Sequence, residues 1–408
     1  MSMALIPSLV ATAETLTVCE QGCDHQSIND AIAVAKDGDI IQLAAETYFE
    51  GSAINPIGKA VTIRGSTNQA GDPTSILDGN TAHQVIRCLG GETSSTVFEN
   101  LIIQRGSAGG GAGMGNIGSS PMLLNCWFRD NHANDYGGGM LVYVGAPILI
   151  GCDFESNSSP LAGGGMYIDN SDCTLTRCSF TRNSTAGRGG GVANLGASDS
   201  ELFDCHFEDN VALEGGGMYN YFSSPTLIDC RFRGNAFLIN AGLANTGVDF
   251  GGGMYNDNSD PFLITCTFRG NYAADYGGGL FNYLSVPILD GCLITDNMTS
   301  GLGGGIASLK REPTLINSIV CFNGPDQIAG GFEDLGGNHV GDECPATTCP
   351  TDLDQDGATT GSDLGRLLAS WGRCDSCASD FNHDGTIDAL DLEALCAAWG
   401  PCHEPLDA

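Results

Sequence analysis

Positive charge is the property that this sequence has least of. Three lysines and 16 basic residues in total stand against 49 acidic ones, which gives a formal net charge of −33 over 408 residues. Nucleic acids and anionic lipids bind to basic surfaces, so the charge balance argues against both partners. No uninterrupted apolar stretch is long enough to span a bilayer. We therefore expect an acidic protein without a membrane span.

Glycine and apolar residues are abundant instead. Glycine occurs 59 times and 42% of the residues are hydrophobic, whereas a disordered glycine-rich linker would lack that apolar content. The length exceeds what a single ordinary hydrophobic core organises. These two facts predict either several domains or an elongated repeat array.

The first residues have features of a secretion signal. A short apolar run from Met3 to Ala11 leads into Ala11-Thr12-Ala13, the small-x-small form of a signal-peptidase site, although no basic residue precedes the run. We interpret residues 1–13 as the remnant of a signal peptide. A frayed apolar N-terminus is the alternative.

A 26-residue repeat dominates the middle of the chain. Glycine triplets recur at steps of 26 residues with a single step of 36, and leucine, cysteine, phenylalanine and asparagine keep the same register. The triplets begin at Gly137, Gly163, Gly189, Gly215, Gly251, Gly277 and Gly303; the cysteines are Cys126, Cys152, Cys178, Cys205, Cys230, Cys266 and Cys292; the asparagines are Asn131, Asn157, Asn183, Asn210, Asn235, Asn271, Asn297 and Asn323. One such coil cannot bury its apolar face alone, so neighbours must stack on it. Residues 106–323 are predicted to form a parallel β-helix with an insertion at 236–250.

Each recurring residue type has an expected place in a coil. Leucine, cysteine and phenylalanine should face inward, and the cysteines should act as small buried hydrophobes rather than as disulfides or metal ligands. Glycine should take bends with positive φ. Asparagine should occupy left-handed corners while its amide bonds to the coils above and below.

Two resemblances support a right-handed all-β solenoid. The amphipathic segment Ser27 to Ile32, followed by the Asp37-Gly38 turn and a β-type apolar run, resembles the N-terminal cap of pectin-lyase-like right-handed parallel β-helices. In that family a helix covers the open end of the single-stranded β-helix, so residues 14–105 are expected to form the cap and first coils. The Phe-x-x-Asn and Gly-Gly-Gly-Met signals resemble the repeats of polymorphic outer membrane proteins, which are surface adhesins.

Two acidic loops follow residues 324–348, which we interpret as a linker. Residues 352–363 and 380–391 both fit the 12-residue calcium loop, in which oxygen ligands converge around a turn at glycine. The loops predict two Ca²⁺ ions. The predicted ligands are Asp352, Asp354, Asp356, Ala358, Thr360 and Asp363 in the first loop, and Asp380, Asn382, Asp384, Thr386, Asp388 and Asp391 in the second.

The duplicated loop-and-helix pattern of residues 349–408 resembles dockerin type I modules, which are small α-helical, EF-hand-like domains. The resemblance implies calcium-dependent folding and a possible cohesin-like partner. Dockerins often use a Ser-Thr pair for cohesin contact, and Gly361-Ser362 and Ala389-Leu390 stand at those positions here. Calcium-dependent folding therefore carries over from the resemblance, whereas these residues do not support the cohesin contact.

Cysteine pairs frame both loops at equal spacing. Cys349 and Cys374 are 25 residues apart, as are Cys377 and Cys402, so we predict a disulfide within each pair. Cys321, Cys344 and Cys396 offer alternative partners. Oxidised cysteines and calcium both indicate a secreted, extracellular or cell-surface protein.

Aromatic residues recur next to the methionine position of the repeat. By strand alternation they should face outward, where exposed rings stacked every coil suit the apolar faces of sugars. Plain coil stacking is the alternative role. The candidate sugar-binding residues are Tyr143, Tyr167, Tyr219, Tyr221, Tyr255, Phe281 and Tyr283. The insertion at 236–250 is a second candidate binding region.

The function favoured by the sequence is non-catalytic. We expect an adhesion or carbohydrate-binding rod that binds a polysaccharide or a cell-surface glycan and attaches to partners through the calcium module. No catalytic residue is assigned. One alternative is a polysaccharide lyase or glycosidase with Asp135, Glu214, Asp275 or the insertion near its site, and another is a structural envelope protein.

Overall fold

The structure, a computed structural model, describes residues 13–237, 249–344, 351, 353, 358–373, 379–382 and 386–401. The chain divides into two compact units, Met1–Glu343 and Cys344–Ala408. No helix within the described ranges is both long and apolar enough to cross a membrane.

The described part of the first unit consists of four parallel sheets, in which each strand pairs with the equivalent strands of the coils before and after it. Sheet 1 contains Thr15–Val18, Ile40–Leu43, Thr62–Arg64, Val97–Glu99, Met122–Leu124, Ile148–Ile150, Thr174–Thr176, Glu201–Phe203, Thr226–Ile228, Phe262–Ile264, Ile288–Asp290, Thr314–Ile316 and Glu333–Asp334. Sheet 2 contains Thr47–Tyr48, Ser75–Asp78, Leu101–Gln104, Trp127–Arg129, Asp153–Glu155, Ser179–Thr181, His206–Glu208, Arg231–Arg233, Thr267–Arg269, Leu293–Thr295, Ile319–Cys321 and His339–Gly341.

The other two sheets begin later in the chain. Sheet 3 contains Ile86–Cys88, Met114–Ile117, Met140–Tyr143, Met166–Asp169, Val192–Leu195, Met218–Tyr221, Met254–Asp257, Leu280–Tyr283, Ile306–Leu309 and Ile328–Ala329. Sheet 4 contains Ser107–Gly110, His132–Tyr136, Ser158–Ser159, Ser184–Thr185, Val211–Ala212, Ala236–Phe237, Tyr272–Ala273 and Met298–Thr299. This arrangement confirms the predicted parallel β-solenoid.

The core is a stack of identical side chains. Phe128, Phe154 and Phe180 pair in register, and their rings stack with centroids 4.5 and 4.8 Å apart. The repeated leucines and cysteines are at most 2% exposed. The seven repeat cysteines are free thiols, as predicted, and burial raises the pKa of those at Cys152 and Cys178.

A buried asparagine ladder joins the coils at the corner between sheets 2 and 4. The Nδ2 of Asn157 donates to Oδ1 of Asn183 in the next coil (3.0 Å) and to the carbonyl of Phe128 in the previous one (2.9 Å). These bonds confirm the predicted role of the amide. The predicted left-handed backbone is wrong for these asparagines, because the residue before each one has the positive φ, as at Arg182 (54°) and Asp209 (53°).

The glycine triplets lie where the backbone needs a positive φ and where the next coil leaves no room for a side chain. The first glycine of each of the seven triplets has φ between 63° and 68°, which confirms the predicted bends. The second glycine lies against the next coil. A Cβ at Gly164 would be 2.5 Å from the carbonyl oxygen of Gly190 and 2.6 Å from that of Ser184.

Helix α1, Ile28–Val34, confirms the predicted N-terminal helix. Ser27 is its N-cap, and Ile28, Ala31 and Ile32 are buried in the main core. That this helix covers the open end of the solenoid stays a prediction. A disulfide that was not predicted joins Cys19 and Cys23 close to this helix in the chain.

The second unit contains two similar helices, α2 (Gly361–Ala369) and α3 (Ala389–Ala397). Each helix begins directly after its N-cap, Thr360 or Asp388, with a capping box that includes Asp363 or Asp391. Two short antiparallel pairs connect the halves: Ala358–Thr359 with Gly400–Pro401, and Gly372–Arg373 with Thr386–Ile387. Leu367, Ile387 and Leu395 form the small core.

Replacing Gly164 with alanine tests the close approach of the coils. Because its Cβ would meet backbone oxygens that cannot move without separating the coils, we expect Gly164→Ala to lower the free energy of unfolding by about 3 kcal/mol. Gly109→Ala is the matched control, since its Cβ would meet only Asp135 Oδ2 at 3.6 Å; it should change stability by less than about 0.5 kcal/mol. Denaturant unfolding followed by far-UV circular dichroism measures both. Equal effects would contradict the argument.

Candidate functional site

The outer face of sheet 3 presents two columns of side chains. The first and third residues of each strand face the core, and the second and fourth face away from it, as Met218, Tyr219, Asn220 and Tyr221 illustrate. The second-position column contains Leu141, Tyr167, Ala193, Tyr219, Tyr255, Phe281 and Ala307. The fourth-position column contains Tyr143, Asp169, Leu195, Tyr221, Asp257, Tyr283 and Leu309.

The predicted exposed aromatic stripe is wrong for three of its seven residues. Tyr219, Tyr255 and Phe281 point away from the main core, yet they are 0%, 7% and 1% exposed. The residues that precede the glycine triplets fold over them, and the ring of Phe250 stacks on Phe281 at 4.5 Å. These side chains form a second apolar cluster outside the solenoid, which we call the outer cluster.

The other four predicted residues remain accessible to different degrees. Tyr143 is 44% exposed, and Tyr167, Tyr221 and Tyr283 are half-buried. Tyr221 and Tyr283 pack at the edge of the outer cluster, whereas Tyr167 packs against Tyr136 with ring centroids 4.7 Å apart. The accessible aromatic surface is therefore interrupted rather than continuous.

An ion pair lies beside the outer cluster. Arg188 and Glu214 each precede a glycine triplet, so they are neighbours in successive coils, and Arg188 Nε lies 2.7 Å from Glu214 Oε2. The Arg188 guanidinium also lies over the ring of Tyr219, 5.1 Å from its centroid. The charge of Arg188 also lowers the pKa of Tyr255 and of Asp257, which lie two coils further on. We call Arg188, Glu214, Tyr219, Tyr255 and Asp257 the polar cluster.

Burial governs the electrostatics of the polar cluster. It raises the pKa of Asp257 above its usual value, although a hydrogen bond from Asn258, the charge of Arg188 and the nearby Tyr219 hydroxyl partly oppose it. Burial also raises the pKa of Tyr219 and of Tyr255, so both phenols stay protonated. The Tyr219 hydroxyl is fully buried and lies close enough to Asp257 to help lower the pKa of that carboxyl.

The structure does not bring the three suggested carboxylates together. Glu214 belongs to the polar cluster, Asp135 is exposed three coils earlier, and Asp275 accepts a hydrogen bond from the backbone of Asp249 at 2.9 Å. Most of the insertion, residues 238–248, lies outside the described residues. The pairing of Arg188 with Glu214 was not predicted from the sequence. Their shared position before a triplet, one repeat apart, is the signal that would have paired them.

The last carboxylate of each predicted calcium loop is buried and closes its loop. Asp363 accepts from the backbone N–H of Leu353 (2.7 Å) and of Thr360 (2.8 Å). Asp391 accepts from Phe381 (2.8 Å) and Asp388 (2.9 Å) in the same way. Burial alone would raise the pKa of Asp391, but these backbone donors lower it overall, so the carboxylate is held ionised. Oxygen donors of this kind suit a hard cation such as Ca²⁺.

Only some of the other predicted calcium ligands, and none of the four predicted disulfide cysteines, lie within the described residues. Asp380 is buried, Asn382 is exposed, Thr360 and Asp388 cap the helices, and Ala358 and Thr386 lie in the short strands. Within the described ranges no three His, Cys, Asp or Glu side chains converge on one point. The other predicted ligands, Asp352, Asp354, Asp356 and Asp384, and all four predicted disulfide cysteines, Cys349, Cys374, Cys377 and Cys402, lie outside those ranges. Of the alternative cysteines, Cys321 and Cys344 are disulfide-bonded and Cys396 is free.

Comparison with known proteins identifies the fold. Residues 60–237 match the family model described as a right-handed beta helix region. With the parallel pairing above, this match makes the first unit a right-handed parallel β-solenoid. No curated protein sequence matches the chain.

Similar solved structures are distant. They include a pectate lyase (13% identity, 86% of this chain and 86% of that one, TM-score 0.39). A family PL6 polysaccharide lyase from Pseudopedobacter saltans is 15% identical over 77% of this chain and 90% of that one, with a TM-score of 0.45. A pectin methylesterase from Aspergillus niger is 12% identical over 82% and 92%, with a TM-score of 0.33. At this level of similarity, no function passes from them to this chain.

Replacing Asp257 with asparagine tests the electrostatics of the polar cluster. Burial raises the pKa of Asp257, so its ionised form costs stability above that pKa. We expect Asp257→Asn to melt at a higher temperature than the wild type at pH 7, and the difference to disappear below about pH 4, where the wild-type carboxyl is also neutral.

Asp78→Asn is the control with the opposite sign. Burial would raise the pKa of Asp78, but hydrogen bonds from Arg105, Gln104 and the backbone of Asn80 lower it overall. That carboxylate therefore stabilises the fold at neutral pH, and its contribution falls as the pH is lowered. Melting temperatures between pH 3 and 8 should show a deficit for Asp78→Asn that shrinks towards low pH. A deficit of the same form for Asp257→Asn would contradict the assignment.

Proposed function

We propose that this chain is a secreted or cell-surface polysaccharide-binding β-helix, which holds a glycan against the outer face of sheet 3 and attaches to a partner through its C-terminal unit. The observation that carries the proposal is the polar cluster beside the half-exposed rings of Tyr221 and Tyr283. Asp257 lies between these two rings in the fourth-position column.

This combination of groups suits a sugar. Aromatic rings pack on the apolar C–H faces of pyranose rings, and ionised side chains make strong hydrogen bonds to hydroxyl groups. Neighbouring strands place such groups about 4.8 Å apart along the rod, on the scale of a sugar ring. A glycan that lies along the solenoid axis would therefore contact a new side chain at each coil.

The C-terminal unit is proposed to bind two Ca²⁺ ions through the residues assigned from the sequence. The buried carboxylates of Asp363 and Asp391 support this, because each is already held at the end of its loop by backbone donors. Bound calcium would neutralise loops that otherwise concentrate negative charge. A cohesin-like protein is the proposed type of partner, on the resemblance to dockerin modules alone.

Catalysis on a polysaccharide is the second candidate function. Arg188 pairs with the carboxylate of Glu214, and its charge also lowers the pKa of Asp257, which is partly desolvated. A lyase or glycosidase needs carboxylates with separated roles, and a cation beside them would neutralise an acidic sugar. This arrangement is what favours an enzyme over a purely structural envelope protein.

Incubating the purified protein, with calcium, against neutral and acidic polysaccharides distinguishes these functions. We expect retention on at least one polymer without new reducing or unsaturated ends. Tyr221→Ala should weaken retention by about tenfold, because an aromatic contact is lost. Phe262→Ala, which removes a 38% exposed ring from sheet 1, is the matched control and should bind like the wild type. Product release would favour the enzyme, and no retention on any polymer would contradict the proposal.

Removing calcium should affect only the second unit. With a chelator, we expect the helical signal of α2 and α3 to be lost, since their loops carry the proposed sites, while the β signal of the solenoid remains. Far-UV circular dichroism and limited proteolysis check this. Loss of the β signal would contradict the independence of the two units, and an unchanged helical signal would contradict the calcium sites.

A further inference from the structure

The outward face of sheet 1 is apolar over its middle strands. Fourteen side chains face outward on the seven strands from Met122–Leu124 to Ile288–Asp290, since the residue between them on each strand is buried in the main core. Nine of the fourteen are apolar, three are threonine and two, Glu201 and Asp290, are acidic. Ile288 is 38% exposed, and none of the fourteen belongs to a buried cluster of the described residues.

The outward face of sheet 2 shows what the same coils carry where water is the neighbour. Over the seven strands from Trp127–Arg129 to Leu293–Thr295, only Trp127 and Leu293 of the fourteen outward side chains are apolar, and seven are Arg, Asp or Glu. The two faces have the same strand length and the same number of coils, so the repeat itself does not explain the difference. A contiguous apolar surface of this kind indicates a site of contact with another molecule.

Charged and polar residues lie beyond both ends of this apolar stretch. Towards the N-terminus, Arg64 pairs with Glu99 on the next strand of the sheet at 2.6 Å. Towards the C-terminus, Thr314 donates to Glu333 at 3.2 Å. An apolar centre with a polar rim is the usual composition of a protein–protein interface.

A second copy of the chain fits this face. We propose that sheet 1 is the interface of a homodimer, in which the outward faces of two copies pack against each other. Sheets pack face to face about 10 Å apart when their apolar side chains interdigitate. A second copy has the same strand spacing and the same length of apolar surface, and a two-fold interface uses one patch twice.

The size and charge of the two copies set the strength of the dimer. Thirteen strands at about 4.8 Å make the sheet about 60 Å long, and about three residues per strand make it about 10 Å wide. Two such faces bury on the order of 1,200 Å², the lower end of the size of a stable interface. Two copies with a net charge of −33 each also repel one another. We therefore expect a micromolar dissociation constant that salt lowers, because salt screens this repulsion and leaves the apolar contacts in place.

Sedimentation equilibrium of the full chain with calcium measures the association. We expect the mass to rise from 42.3 kDa towards twice that value as the protein concentration increases. In about 0.5 M salt the same degree of association should need about fivefold less protein than in about 0.05 M salt.

Thr176→Lys and Thr181→Lys form a matched pair of variants. Both threonines are half-buried third residues of strands in the same coil, Thr176 on sheet 1 and Thr181 on sheet 2, and both substitutions change the net charge equally. Thr176→Lys should weaken dimerisation at least about tenfold, because it places a charge in the apolar interface of each copy. Thr181→Lys should dimerise like the wild type. Glu201→Gln should strengthen dimerisation about threefold, since it removes a charge from the same face.

A wild type that stays at 42.3 kDa at both salt concentrations would overturn the proposal. That result with weaker retention of Thr176→Lys on a polysaccharide, or with faster proteolysis of its second unit, would identify a glycan or that unit as the occupant instead. Equal dimerisation of Thr176→Lys and the wild type would overturn it as well. Ile228→Ser, which removes an apolar side chain without adding charge, should weaken dimerisation about fivefold and replaces Thr176→Lys if that variant fails to fold. None of these outcomes bears on glycan binding at sheet 3.

Discussion

The asparagine ladder is the interaction on which the solenoid depends. Each buried amide bonds to the coil before and the coil after it, so a coil of different path would leave a buried amide unpaired. The coil with the 36-residue step shows that the ladder is maintained even where the chain between two asparagines is longer. Asn235 and Asn271 are 36 residues apart, yet their amides bond at 2.9 Å like all the others. The core register is therefore unchanged across the longer step, where Phe232 still pairs with Phe268.

A fixed interior leaves the outward positions free to vary. Inside, the repeat places leucine, cysteine and phenylalanine in the apolar core and asparagine in the buried ladder of nearly every coil. In the second-position column of sheet 3, the same backbone carries leucine, alanine, tyrosine or phenylalanine. The outer cluster and the polar cluster are therefore variable surface features on a scaffold that its buried core stabilises. Solenoids that present binding surfaces commonly separate core and surface in this way.

The polar cluster contains groups whose burial lowers the stability of the fold. Tyr219 buries its hydroxyl beside Asp257, and Asp257 holds a carboxylate in surroundings that favour its neutral form. Asp78 shows the alternative, because hydrogen bonds from Arg105 and Gln104 satisfy that buried carboxylate fully. Local departures from the stability rules that the core obeys are typical of functional sites.

The sequence alone determined which residues face the core, because strand alternation and the 26-residue period together fix the direction of every side chain. It also determined the glycine bends, the free buried cysteines and the helix that begins after Ser27. Only the tertiary structure decided which outward residues are exposed. Tyr219, Tyr255 and Phe281 point outward as expected, but residues from the neighbouring corner, such as Phe250, cover them. The pairing of Arg188 with Glu214 was decided in the same way, since periodicity encodes the direction of a side chain and not what another segment places over it.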